Sequence, residues 1–206
     1  KPRIEKLQTV IAGCDEVTEG GLPKGRTTLV SGTAGSGKTV LASQFLAEGI
    51  TQAGESGVFI TFEESPDEIR RNIRTLGWRV QDWEKEGKWA FVDASPQLDD
   101  DVVEAGIYDL NGLLVRIQHA VDRIEARRVA MDSLGAIFSR FSNPTIIRAE
   151  LFRIASALKQ MGVTEPVFGF LVDEFSVPEG AEIGTNELIH PKVEPEIAFV
   201  LKRELK

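Results

Sequence analysis

Gly32-Thr33-Ala34-Gly35-Ser36-Gly37-Lys38-Thr39 is the stretch on which the fold turns. It fits the spacing G-x-x-x-x-G-K-[ST], the phosphate-binding P-loop pattern. An apolar run at 28–31 precedes it, and a helical pattern at 38–52 with Val40, Leu41, Phe45 and Leu46 follows. Strand, loop and helix are the context this chemistry needs. Glycines let the backbone curl so that successive N–H groups point at phosphate oxygens. The helix N-terminus adds the positive end of its dipole. In such a loop Lys38 reaches the β- and γ-phosphates of a bound nucleotide, and the Thr39 hydroxyl ligates Mg²⁺. The bland alternative is a glycine-rich turn that binds nothing; the flanking strand and helix weigh against it.

A site of this kind needs a second acid at the end of another strand. Arg128-Val129-Ala130-Met131-Asp132 supplies an apolar run ending in a carboxylate. Asp132 is therefore the second candidate for holding Mg²⁺ or its water shell, against the alternative of a strand-end aspartate capping a turn. Glu63 and Glu64 follow the apolar run 58–62. The C-terminal edge of a parallel sheet is where ligands bind, and a carboxylate there can orient the water that attacks the γ-phosphate or take its proton. Adjacent strand residues point to opposite faces, so the two do not serve the same water. The competing reading is a pair of acids at a helix start, favoured by its dipole.

Outward from these sites, strand patterns at 28–31, 57–62, 89–92 and 128–131 alternate with helical patterns at 38–52, 66–76, 110–123 and 145–161. That rhythm predicts an α/β fold with a parallel sheet and helices on its faces. Residues 160–206 read differently: they are rich in proline and acids, with buried-strand patterns at 167–172 and 197–201 and no helical period between them. One cysteine, Cys14, rules out an intramolecular disulfide and fits a cytoplasmic protein. A net charge of −8 argues against general nucleic-acid binding. No apolar run approaches the roughly 20 residues of a membrane span, and Lys1-Pro2-Arg3-Ile4-Glu5 lacks the apolar core of a secretory signal. His119, His190 and Cys14 read as structural. Arg70-Arg71 and Arg127-Arg128 read as solvated or interface charges, with a neighbour's phosphate as the alternative target. Trp78, Trp83 and Trp89 read as packing.

Across residues 7–162 the chain resembles the N-terminal ATPase lobe of the KaiC family of circadian-clock proteins, which are RecA-like P-loop ATPases. The matching residues are Gly20-Gly21-Leu22-Pro23-Lys24-Gly25-Arg26, the 32–39 loop, Phe62-Glu63-Glu64-Ser65-Pro66, Gly77-Trp78, Asp93-Ala94-Ser95-Pro96, Asp132-Ser133 and the 148–159 stretch. The resemblance implies a slow Mg-dependent ATPase cleaving ATP to ADP and phosphate, assembled as a homohexameric ring with ATP between subunits. It carries the family's catalytic glutamates onto Glu63 and Glu64. It also places the docking of a KaiB-like partner on residues 94–108 and makes Arg148 the best arginine for a neighbour's phosphates. A RecA-like nucleic-acid motor is the alternative on the same fold.

The core strand, return hairpin and Lys-x-Arg-Gly-type segment that this resemblance calls for after Gly162 are not recognisable in the sequence. Residues 160–206 instead resemble the hydratases and decarboxylases of 2-hydroxydienoates and oxalocrotonate, through Phe175-Ser176-Val177-Pro178 and Ile189-His190-Pro191-Lys192-Val193-Glu194-Pro195-Glu196. That second likeness implies a metal pair at Glu194 and Glu196, whose alternate spacing puts both on one strand face; two exposed acids are the other reading. The expected organisation is thus an ATPase domain over 1–162 and an atypical segment over 163–206, a chimera.

Overall fold

The computed structural model describes residues 5–32, 35–95, 110–133, 144–163 and 167–171. Thr33 and Ala34, all but the first two residues of the 94–108 segment, the Arg148 side chain, His190, Glu194, Glu196 and the 197–201 pattern lie outside what it describes.

The strand patterns become a five-stranded parallel sheet. Its members are β3 (Thr27–Ser31), β4 (Gly57–Thr61), β5 (Trp89–Asp93), β6 (Arg128–Asp132) and β7 (Val167–Leu171), in the order β3-β7-β6-β4-β5. A small antiparallel pair, β1 (Lys6–Leu7) with β2 (Leu22–Pro23), precedes it. The helices are α1 (Cys14–Val17), α2 (Lys38–Glu48), α3 (Pro66–Ile73), α4 (Val80–Lys85), α5 (Leu110–Ile124) and α6 (Pro144–Gln160). The pair β1–β2 and the short helices α1 and α4 go beyond the sequence expectation.

Strand alternation divides the core in two. Val58, Ile60, Ala90, Val92, Val129 and Met131 pack on one face against Leu113, Ile117, Val121 and Ile124 of α5 and Ile154 and Leu158 of α6. The interleaved Phe59, Trp89 and Ala130 pack on the other against Phe45 and Leu46 of α2, Ile69 and Ile73 of α3 and Trp83 of α4. Burying each such side chain stabilises the fold by about 1.5–3 kcal/mol. Trp83 and Trp89 are buried as expected, and His119 is exposed on α5. No described helix is long and apolar enough to cross a membrane.

Two expectations are corrected. First, a core strand does follow Gly162. β7 inserts between β3 and β6, pairing Thr27 with Val167 on one side and Val129 with Val167 on the other. Its apolar run was visible, but a place in the sheet depends on partners far away in sequence. Second, Arg128 is not a solvated charge. It is 1% exposed, on the α2 side of β6. Its Nε donates to Glu55 Oε2 at 2.7 Å, and its Nη atoms donate to the carbonyls of Phe45 (3.0 Å), Gln8 (3.1 Å) and Thr9 (3.2 Å). The guanidinium also lies 4.6 Å over the Phe45 ring. A Cβ on Gly49 would fall 2.5 Å from Arg128 Cδ, so glycine at that position leaves room for the buried Arg128 side chain. Arg127 points out. Arg70 also does more than solvate a helix end: it forks onto Glu84 at 2.7 and 2.8 Å and ties α3 to α4.

Candidate nucleotide site

Each candidate residue sits at the C-terminal edge of the sheet because its strand or helix ends there. β3 runs directly into the glycine-rich loop, and α2 starts at Lys38. Gly35 and Gly37 take φ of 79° and 89°, conformations that suit glycine. Gly37 caps α2 with no side-chain hydrogen bond to the helix start. A Cβ on Gly32 would lie 2.5 Å from Ser36 Oγ, so glycine there leaves the Ser36 hydroxyl its present place. That Ser36 hydroxyl is buried and has no hydrogen-bond partner among the described residues. Lys38 folds back over the loop, its Nζ donating to the Gly32 carbonyl at 2.6 Å.

α2 carries Thr39 across β7 to the end of β6. There the Thr39 hydroxyl donates to Asp132 Oδ2 at 2.5 Å, although the two residues stand 93 positions apart. Asp132 is 9% exposed. Burial pushes its carboxyl above the ordinary range; the Thr39 hydrogen bond opposes that, Glu64 and Glu63 add to it, and Lys38 opposes it. The peptide bond after Asp132 is cis. In register, Thr61 lies beside both Asp132 and Asp93. Just beyond Thr61, Glu63 is exposed and Glu64 half-buried. The Thr61 hydroxyl donates to the Glu64 carbonyl at 2.5 Å, and Asn72 Nδ2 donates to Glu64 Oε2 at 2.8 Å.

The residues fit a magnesium nucleotide. The loop's glycine geometry and the unsatisfied Ser36 hydroxyl suit phosphate oxygens, and Thr39 with Asp132 offers two hard oxygen donors at one point. Among the described residues there is no cluster of three His, Cys, Asp or Glu able to cage a metal. Mg²⁺ takes one or two protein oxygens and completes its shell with water and substrate phosphates. The structure thus brings Gly32, Gly35, Ser36, Gly37, Lys38, Thr39, Asp132, Glu63 and Glu64 to one edge. Sequence reasoning missed Asn72. It stands eight residues from Glu64 on a helix, a spacing that carries no motif.

A sequence model of the family described as "ATPase: KaiC" matches residues 7–197. The chain belongs to the KaiC ATPase family. It is 53% identical over 190 residues to "Circadian clock protein KaiC3" of Synechocystis, a match that covers 92% of this chain and 37% of that protein. It is 45% identical over 190 residues to "Circadian clock oscillator protein KaiC" of Thermostichus vulcanus, covering 92% of this chain and 36% of the relative. The protein of that name in Prochlorococcus marinus is 43% identical over 191 residues, covering 93% and 38%. The chain therefore spans little more than a third of the length of these curated relatives. The KaiC match runs well past Gly162, and nothing in the comparisons supports the likeness of residues 160–206 to hydratases and decarboxylases. With β7 in the sheet, the reading of the chain as a chimera is withdrawn.

Proposed function

We propose that this KaiC-family domain binds ATP with Mg²⁺ and hydrolyses it to ADP and phosphate. The observation that carries the reading is the Thr39–Asp132 hydrogen bond beside the glycine loop: a hydroxyl and a buried carboxylate meet where the loop would hold phosphates. Residues 32–39 cradle the phosphates, Lys38 donates to the β- and γ-oxygens, and Thr39 and Asp132 hold the cation. When bound, Mg²⁺ supplies positive charge against that developing on the phosphate oxygens. A carboxylate of the Glu63-Glu64 pair orients the attacking water and takes its proton. By family likeness the domain works in a homohexameric ring and meets a KaiB-like partner through residues 94–108. A cytoplasmic location goes with this reading, since the one cysteine of the sequence, Cys14, can form no disulfide within it.

The test is thermal unfolding with and without Mg-ATP. At 100 times its dissociation constant the ligand should stabilise the fold by about 2.7 kcal/mol. The shift should vanish in Lys38→Ala, together with phosphate release. A midpoint that Mg-ATP leaves unmoved in the wild type would refute the reading.

A further inference from the structure

The two glutamates at the sheet edge are held differently. The Glu63 carboxylate makes no hydrogen bond or ion pair among the described residues, whereas Glu64 is fixed at both its main chain and its side chain. Its side-chain partner is a neutral amide, and this matters chemically. Three carboxylates, Asp132, Glu63 and Glu64, interact at this edge. Their repulsion would swing an untethered Glu64 toward solvent. An amide donor holds one oxygen without a full opposing charge.

Asn72 is well placed for the task. It lies in the last turn of α3, beside the buried Ile73. The start of α3 is locked by Ser65 and Glu68, which exchange hydrogen bonds in a capping box, and by Pro66 in the first turn. One rigid helix thus begins next to Glu64 and reaches back to it through Asn72.

We propose that Asn72 is a positioning residue of the nucleotide site, its amide holding one Glu64 oxygen so that this carboxylate keeps a fixed place at the edge where the attacking water lies. This rests on the ATPase reading above. Asn72 makes no bond to nucleotide or metal; it acts through Glu64.

The experiment uses the full chain with Asn72→Ala, Asn72→Gln and Asn72→Asp. Alanine is the better helix former, so Asn72→Ala should unfold no earlier than the wild type and keep its Mg-ATP thermal shift. Its kcat should fall about tenfold, the size of effect a small misplacement produces, with KM within about twofold. Asn72→Gln, which keeps the donor, should recover part of the loss. Asn72→Asp, of the same shape but negatively charged, should recover none. A second readout needs no nucleotide: in NMR spectra of the free chain, Glu64→Ala should move the Asn72 side-chain amide signals and Glu63→Ala should not. Equal kcat in wild type and Asn72→Ala, or Asn72 amide signals indifferent to Glu64→Ala, overturns the inference alone. A wild type without Lys38-dependent hydrolysis overturns the ATPase reading and this inference together.

Discussion

Arg128 and Asp132 are the charged ends of a single five-residue strand, β6, and share one face of it. Asp132 stands at the edge that carries the candidate site; Arg128 stands at the opposite end. There it gathers β6, α2, Glu55 and the N-terminal segment around one guanidinium. Asp15 grips the same segment from the other side, accepting from the Thr9 amide at 2.7 Å and the Val10 amide at 2.9 Å. Val10 is held at a φ of 61°, which a β-branched residue adopts only when its surroundings impose it. Removing a buried charge strands its partners, so Arg128→Ala should cost about 3 kcal/mol. A urea titration would show this as a lower midpoint with little change in slope. An unchanged midpoint would mean that the network contributes nothing net. None of this was legible in sequence: arginine is almost never fully buried unless paired, and its partners here are carbonyls, which every residue carries.

Among the elements, α3 is the one whose start the sequence announces most fully. Ser65-Pro66-Asp67-Glu68 announces a capped helix start, and the structure forms both halves of the box: Glu68 N–H to Ser65 Oγ at 3.3 Å and Ser65 N–H to Glu68 Oε2 at 2.8 Å. Ser65→Ala should cost about 1 kcal/mol. Glu68 has a carboxyl held below its ordinary value, chiefly by the Ser65 backbone N–H and then its hydroxyl. A depressed folded pKa stabilises the fold above the unfolded value, near 4.5, and that stabilisation is lost as pH falls through the folded one. The wild type should therefore exceed Glu68→Ala in thermal midpoint at pH 7, and the gap should close in acid. A gap that stays constant to low pH would remove the box as its cause. By contrast α4 offered little to read. It has six residues, two of them buried, and no side-chain cap, too few periods for a pattern to show.

For the whole molecule, what was legible was what each stretch reveals locally. Apolar runs gave β3 to β6 to within a residue or so, and the glycine loop with Asp132 gave the edge where they meet. The order of the sheet was not local. β7 lies between the strand that feeds the phosphate loop and the strand that ends in Asp132. Thr39 and Asp132 therefore meet only if β7 spaces their strands correctly. Phe168→Pro removes a backbone N–H in an internal strand and should cost about 3 kcal/mol or more. It should also abolish the Mg-ATP thermal shift although no residue of the site is altered. A shift retained at wild-type size would show that the site assembles without β7.

The same insertion sets a timetable for a newly made chain. Among the described residues β3 pairs with no strand of the sheet but β7, and the segments at 27–31 and 167–171 leave the ribosome far apart in time. At roughly 5–20 residues per second, the interval is on the order of 10 s. Throughout it β3 lacks its sheet neighbour, and once β6 emerges that strand too has one open edge, both free to pair with the wrong chain. On the reading proposed above, ATP gives the nascent chain no help in that window, because the strand that brings Thr39 and Asp132 together has yet to emerge. Birth, rather than the finished fold, is when this chain is most open to mispairing.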